Sequence, residues 1–142
     1  MKEMILIKVG EIALKGLNRR TFEDVLVKNI RRRLLPLGEF SIKTAQSTIS
    51  VMPLSDDIDL QDASERIEKI FGIAAFSRAG VCEKDMESIN RTAADYLRGE
   101  LTTASSFKVE AKRSDKTFPL KSPQICMETG GYLLERFPHL RS

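Results

Sequence analysis

This sequence contains two sets of cationic side chains whose positions suit contacts to phosphate groups. The first lies where a polar turn leads into a predicted helix, and the second runs from a predicted strand through a polar loop to the next helix start. Free N–H groups at a helix start favour anions, and phosphate contacts position a nucleic acid without reading its sequence. The candidate nucleic-acid-binding residues are Lys15, Arg19 and Arg20 in the first set, and Lys112, Arg113, Lys116 and Lys121 in the second.

Other interpretations of these cations are open. A solvated helix start explains the first set as well as phosphate binding does. The second set is harder to explain in that way, because its four cations fall within ten positions. Phe118 in the same loop either stacks on a base or fills the core, and filling the core is the better interpretation. Arg31, Arg32 and Arg33 point about 100° apart on a helix, which favours a solvated helix end over one contact surface.

No combination of residues predicts a catalytic centre, a metal site or a bound cofactor. His139 is the only histidine, and because no nucleophile and acid can be assigned to it, we expect a surface side chain. Cys82 and Cys126 are far apart and lack metal-ligand spacing, so two buried thiols are expected. The sequence also contains neither a P-loop nor a dinucleotide fingerprint.

The composition is that of a folded protein with one ordinary domain or two small ones. Its 142 residues are 42% hydrophobic and 30% charged, with a formal net charge of +3, which excludes a disordered chain. No apolar run reaches the roughly 20 residues that span a bilayer, and no signal-peptide core follows Met1. We therefore expect a cytoplasmic protein without membrane contact.

Residues 1–79 show the hydrophobic periodicity of a small α+β domain. The pattern predicts strands at 4–9, 40–44, 48–52 and 73–78, and helices at 18–35 and 59–70. Asn18 is the expected cap of the first helix, and Pro36 and Gly38 are expected to stop it. The order strand, helix, strand, strand, helix, strand is that of a ferredoxin-like domain.

Residues 80–142 predict a second α/β unit. A helix capped by Asp85 is expected to end at Gly99, a half-buried strand covers 107–111, and a helix capped by Ser122 is expected to end before Pro138. A lone strand leaves its backbone groups without partners. We therefore expect the chain to stop within its second domain, with further strands after Ser142 in the intact protein.

Two stretches of the sequence resemble a known family. Residues 7–19 look like the opening of the N-terminal ferredoxin-like domain of the tRNA 4-thiouridine synthases, also named sulfurtransferases of thiamine biosynthesis. Residues 107–113, continued through Lys116, Phe118 and Ser122 to Gly130, look like the central part of a THUMP domain. THUMP domains occur in several RNA-modifying enzymes, so it is the combination, in this order, that points to the thiouridine synthases.

The resemblance implies a tRNA-binding module whose catalytic domain is absent from this chain. By resemblance, the second cation set faces the acceptor end of tRNA, and the first set lies nearer the seam between the ferredoxin-like domain and an incomplete THUMP domain. A C-terminal pyrophosphatase-type domain of the intact protein would use ATP to adenylate a uridine, and a cysteine desulfurase would donate the sulfur. A sheet edge exposed by the missing strands also raises pairing of two chains as a homodimer.

Two competing hypotheses remain at this stage. The same architecture serves other RNA-modifying enzymes, such as methyltransferases and pseudouridine synthases. Ferredoxin-like folds also host small-ligand and protein-interaction domains, because a fold alone does not decide function.

Overall fold

The chain divides into two compact units, residues 2–79 and residues 80–142. The computed structural model describes residues 2–9, 19–45, 48–70 and 73–141, with side chains described at all of these positions except 19, 73 and 74. The predicted cap Asn18 and the cation Lys15 lie outside the described residues. Each unit has its own buried apolar cluster.

The first unit is built on a four-stranded sheet. Its strands are β1 (Glu3–Val9), β2 (Phe40–Ala45), β3 (Thr48–Pro53) and β4 (Ile73–Gly80), in the spatial order β2-β3-β1-β4. Strands β1 and β3 are antiparallel, with Ile5 opposite Val51 and Ile7 opposite Ile49. All four of these side chains are fully buried, so one face of the sheet forms the floor of the core.

Two helices supply the rest of that core. Helix α1 (Arg19–Leu34) contributes apolar residues four positions apart, and α2 (Leu60–Glu68) contributes Leu60, Ala63 and Ile67. The carboxylate of Asp59 caps α2 by accepting from the N–H groups of Gln61 at 3.0 Å and Asp62 at 3.2 Å. The element order and strand order confirm the predicted ferredoxin-like domain.

The end of α1 lies within one residue of the prediction, and Pro36 and Gly38 follow it as expected. The helix ends at Leu34, and Leu35–Leu37 form one turn of 3-10 helix that contains Pro36. Gly38 then takes a φ of 136°, which an L side chain rarely adopts, and a Cβ at this position would lie 2.9 Å from Ile58 Cδ1. A glycine is therefore required where the chain reverses into β2.

Within its described residues, 80–141, the second unit contains three helices, where two were expected. The helices are α3 (Met86–Tyr96), α4 (Arg98–Thr103) and α5 (Ser122–Arg136). Asp85 caps α3 as predicted, accepting from Ser88 N–H at 2.7 Å. The single helix predicted from Asp85 to Gly99 is wrong, because the chain leaves helical geometry at Leu97 and starts again at Arg98. This break lets Leu101 reach the buried cluster with Ala94.

The strand predicted at 107–111 is not formed within the described residues, but partly buried and exposed side chains alternate strictly along residues 107–113, as on an extended segment. Its predicted half-buried face is therefore present, and Phe107 and Val109 contact the buried cluster. Within the described residues the segment has no strand ladder beside it. One parallel bridge joins Ser106 to Arg141, with Phe107 N–H donating to the Arg141 carbonyl at 2.9 Å. A ladder needs a neighbouring strand, which this part of the chain does not provide.

Helix α5 begins at Ser122, the residue that was predicted to be its cap. Lys121, not Ser122, is the capping residue, and its N–H donates to Gln124 Oε1 at 2.9 Å. Further along, the buried hydroxyl of Thr129 donates to Asn90 Oδ1 at 2.7 Å and ties α5 to α3. None of the helices described is both long enough and apolar enough to cross a membrane.

Candidate nucleic-acid interface

Arg113 fixes the loop that follows the extended segment. Its Nη1 donates to the carbonyl oxygen of Phe118 at 3.0 Å and to that of Leu120 at 3.3 Å, and its side chain is half-buried. A planar guanidinium holds two acceptors in a set geometry. The loop is thus closed on itself immediately before α5.

Asp115 fixes the other side of the same loop. Its carboxylate accepts from the hydroxyl of Thr117 at 2.6 Å and from the N–H of Thr117 at 3.0 Å, and it pairs with Lys84 Nζ at 3.2 Å. These two bonds from Thr117, together with the bond from Lys84, lower the pKa of Asp115 from 3.8 to about 2. Lys84 lies 31 positions away in the sequence, so no local pattern predicts this contact.

Three lysines of the second cation set stand on this fixed frame. Lys112, Lys116 and Lys121 are all exposed. Among the described residues, none of the three lies within 4.0 Å of a carboxylate, whereas Lys84, Lys108 and Arg91 of the same unit each have an ion-pair partner. The structure therefore separates the predicted set: three lysines are available to an anionic ligand, and Arg113 is committed to the loop.

The remaining predicted side chains are distributed as follows. Phe118 is half-buried and is not part of the buried cluster described for this unit, so the prediction that it fills the core is wrong. From the first set, Lys15 lies outside the described residues, Arg19 opens α1, and Arg20 is exposed on the first turn of α1.

The histidine and the two cysteines differ in their burial and contacts. His139 is exposed, as predicted, with Nε2 at 2.9 Å from the Leu101 carbonyl. The expectation of two buried thiols is wrong, because Cys82 is exposed on the segment between β4 and α3 and Cys126 is only partly buried. Within the described residues, no group of three or more His, Cys, Asp or Glu side chains is placed to hold a metal ion.

The lowered pKa of Asp115 predicts how the loop responds to acid. A carboxyl group whose pKa falls on folding stabilises the folded state above its ordinary pKa, and that contribution is lost as the pH falls. We expect the bonds to Thr117 to be kept as the pH is lowered through 3.8 and to be lost as it approaches about 2. NMR titration of the Thr117 amide measures this midpoint.

The matched variant for this titration is Thr117→Val, which removes the hydroxyl bond and keeps the N–H bond. Its midpoint should move upward from that of the parent chain, towards 3.8. A midpoint near 3.8 in the parent chain would contradict the described loop geometry.

The first unit has the strand order of a ferredoxin-like domain, and the second unit carries three exposed lysines on a fixed loop. This combination defines a two-domain protein with a candidate anion-binding loop in its second domain. Residues 4–77 match the ThiI ferredoxin-like domain, and residues 83–142 match the THUMP domain. The chain therefore belongs to the ThiI family of THUMP-domain proteins.

Relatives and solved structures agree with this assignment. The chain is 39% identical to a probable tRNA sulfurtransferase of Acetivibrio thermocellus, covering 99% of this chain and 36% of that protein. It is 40% identical to a probable tRNA sulfurtransferase of Lysinibacillus sphaericus, covering 96% and 33%. The chain thus spans about a third of the length of these relatives.

Two solved structures share the fold. One is the crystal structure of a 4-thiouridine synthetase in complex with RNA and bound ATP, with a TM-score of 0.74, 26% identity, and coverage of 99% of this chain and 35% of that one. The other is a protein from Pyrococcus horikoshii, with a TM-score of 0.75, 27% identity, and coverage of 97% and 46%.

Proposed function

We propose that this chain binds the acceptor end of tRNA through Lys112, Lys116 and Lys121. The observation that carries the proposal is that three exposed lysines without carboxylate partners stand on a loop whose backbone is held by Arg113 and Asp115. Phosphate groups are bound more tightly by cations that are already in place, because less side-chain and loop entropy is lost on binding.

The similarity to a synthetase solved with RNA supports nucleic acid as the ligand. The names of the relatives support tRNA and a sulfur-transfer reaction. They do not favour a methyltransferase or a pseudouridine synthase as the parent activity. In this proposal Arg20, with Lys15 and Arg19, adds a second group of phosphate contacts in the first domain.

The reaction of the whole protein belongs to the same proposal. The chain would serve an ATP-dependent tRNA 4-thiouridine synthase that is also linked to thiamine biosynthesis. Its sulfur donor would be a cysteine desulfurase, it would act in the cytoplasm, and it would form a homodimer. Among the residues that the structure describes, none forms a glycine-rich phosphate loop at the start of a helix that would fit ATP. The one glycine with positive φ among those described is Gly38, which contacts Ile58 and does not precede a helix. No step with ATP is assigned to them.

Titration of this chain with unmodified tRNA, with and without the CCA end, tests the proposal. Because lysine contacts to phosphate release bound counterions, we expect binding that weakens by a factor of ten or more between 50 and 200 mM salt, about the loss for three contacts. Removing CCA should weaken it further. Fluorescence anisotropy with labelled tRNA measures both effects, and a labelled DNA hairpin of equal length is the control.

Two outcomes would contradict the proposal. Binding that does not change with salt would favour a small-ligand or protein-interaction domain. Equal affinity for tRNA with and without CCA would place the contact elsewhere on the RNA.

A further inference from the structure

A second group of cations borders a cleft in the first unit, between α1 and the end of α2. The cleft has a volume of about 340 Å³. Its floor contains buried Phe22, Leu26 and Ile70, and its rim carries the exposed cations Arg32, Arg33 and Lys69. Helical spacing places residues 22, 26, 29 and 33 on one face of α1. Arg31 instead lines a different groove, beside Leu35 and Phe40.

The rim of this cleft carries positive charge without a compensating carboxylate. No aspartate or glutamate lines the cleft, and among the described residues none of the three cations forms an ion pair. Arg32 donates to the neutral amide oxygen of Asn29 at 3.1 Å. The carboxylate of Asp62 on α2 is already paired with Arg66 at 3.1 Å. The net charge of the rim is therefore available to a ligand.

The two sides of the cleft are tied together at its edge. Arg66 on α2 donates from Nη1 to the carbonyl of Arg33 on α1 at 3.4 Å, while its Nε holds Asp62. Both helices also contribute to one buried cluster. The helices that carry the rim cations are thus joined by this hydrogen bond and by the shared buried cluster.

Helix ends alone do not explain this arrangement. A cation in the last turn of a helix gains about 0.3–1 kcal/mol from the helix dipole, which accounts for Arg32 and Arg33 on α1 and for Lys69 after α2 taken separately. It does not account for three cations that face one cleft without a carboxylate. Like charges in this arrangement repel one another, and an anion between them removes that cost.

We propose that Arg32, Arg33 and Lys69 bind a phosphodiester group of the RNA backbone, at a site separate in sequence from the lysine loop. The inference rests on the proposed tRNA binding and extends it to the helical side of the ferredoxin-like unit. RNA supplies a phosphate at each nucleotide, so a chain bound at one cation group presents further phosphates to another. A free phosphate ion offers the same charged oxygen atoms but is not linked to further phosphates.

Replacing Arg32, Arg33 and Lys69 together by alanine tests this inference. We expect tRNA affinity to fall about 10- to 100-fold. The slope of log affinity against log salt should decrease by about one, since the three cations share one phosphate and each phosphate contact contributes about 0.7–0.9. The matched control is Lys28→Ala with Arg31→Ala and Lys43→Ala. These three residues are also exposed cations of the first unit, and the control changes the net charge equally. Its affinity should change less than threefold.

A second measurement distinguishes free phosphate from RNA as the ligand of the cleft. It also distinguishes failure of this inference from failure of the proposed function. Inorganic phosphate at millimolar concentration should shift the backbone NMR signals of Arg33 and Lys69 weakly, and a short RNA should shift them at much lower concentration. If the parent chain binds tRNA with the expected salt dependence but the triple variant binds equally well, the inference fails and the proposed function stands. If phosphate shifts these signals and RNA does not, the RNA assignment of the cleft fails.

Discussion

Alanine at Lys112, Lys116 and Lys121 together is expected to lower the affinity for tRNA about 100-fold at low salt. Each charge-assisted contact to phosphate contributes about 1 kcal/mol net in a solvated interface, and three such contacts correspond to this factor. The slope of log affinity against log salt should also fall by about two to three. Fluorescence anisotropy at four salt concentrations gives both quantities. Because all three side chains are exposed, unfolding by urea should be unchanged.

The control for this variant changes the net charge by the same amount within the same unit. Arg91, Arg98 and Lys108 are paired with Glu87, Asp95 and Glu110 at 3.8, 3.2 and 3.4 Å. Replacing these three cations by alanine should reduce affinity only modestly, through the general field of the protein. If both triple variants lose the same affinity, net charge alone drives binding, and the lysine loop is not the contact.

Arg113→Ala is expected to destabilise the loop, and to weaken RNA binding only as a consequence. The substitution leaves the carbonyls of Phe118 and Leu120 without their donor in a partly buried place, which costs about 1–3 kcal/mol. We expect faster hydrogen exchange in residues 114–121 and a lower urea midpoint for the second unit, followed through its own NMR signals. RNA affinity should fall as well, with a nearly unchanged salt slope, because the three lysines are kept but are no longer held in place.

Lys112→Ala is the matched variant for Arg113, since the two cations are adjacent in sequence and lie on opposite sides of the extended segment. It should lower the salt slope by about one without changing the urea midpoint. Arg113→Lys should recover only part of the stability, because an ammonium does not reproduce the planar geometry of a guanidinium. An Arg113→Ala variant of full stability whose salt slope falls by one would show that Arg113 contacts phosphate directly.

Much of the first unit could be predicted because its determinants are local. The spacing of Phe22, Leu26 and Ile30 identifies the buried face of α1. The alternation of apolar and polar residues on either side of positions 46 and 47 identifies the β2–β3 hairpin. Asp85 could be recognised as a cap because a cap bonds N–H groups two or three positions away. The break at Leu97 was missed, because it is set by the burial of Leu101 against α5 and not by a helix-stopping residue.

The sequence by itself determined which segments are helical or extended, which faces are apolar, and which stretches are rich in cations, since all of these depend on residues close together along the chain. Only the tertiary structure decided which cations are free to bind. Lys84 neutralises Asp115 from 31 positions away, Arg113 turns inward to two carbonyls, and Arg32 and Arg33 meet Lys69 across a cleft. Charge–charge and hydrogen-bond energies depend on distance in space, and distances between remote residues are fixed only when the chain packs.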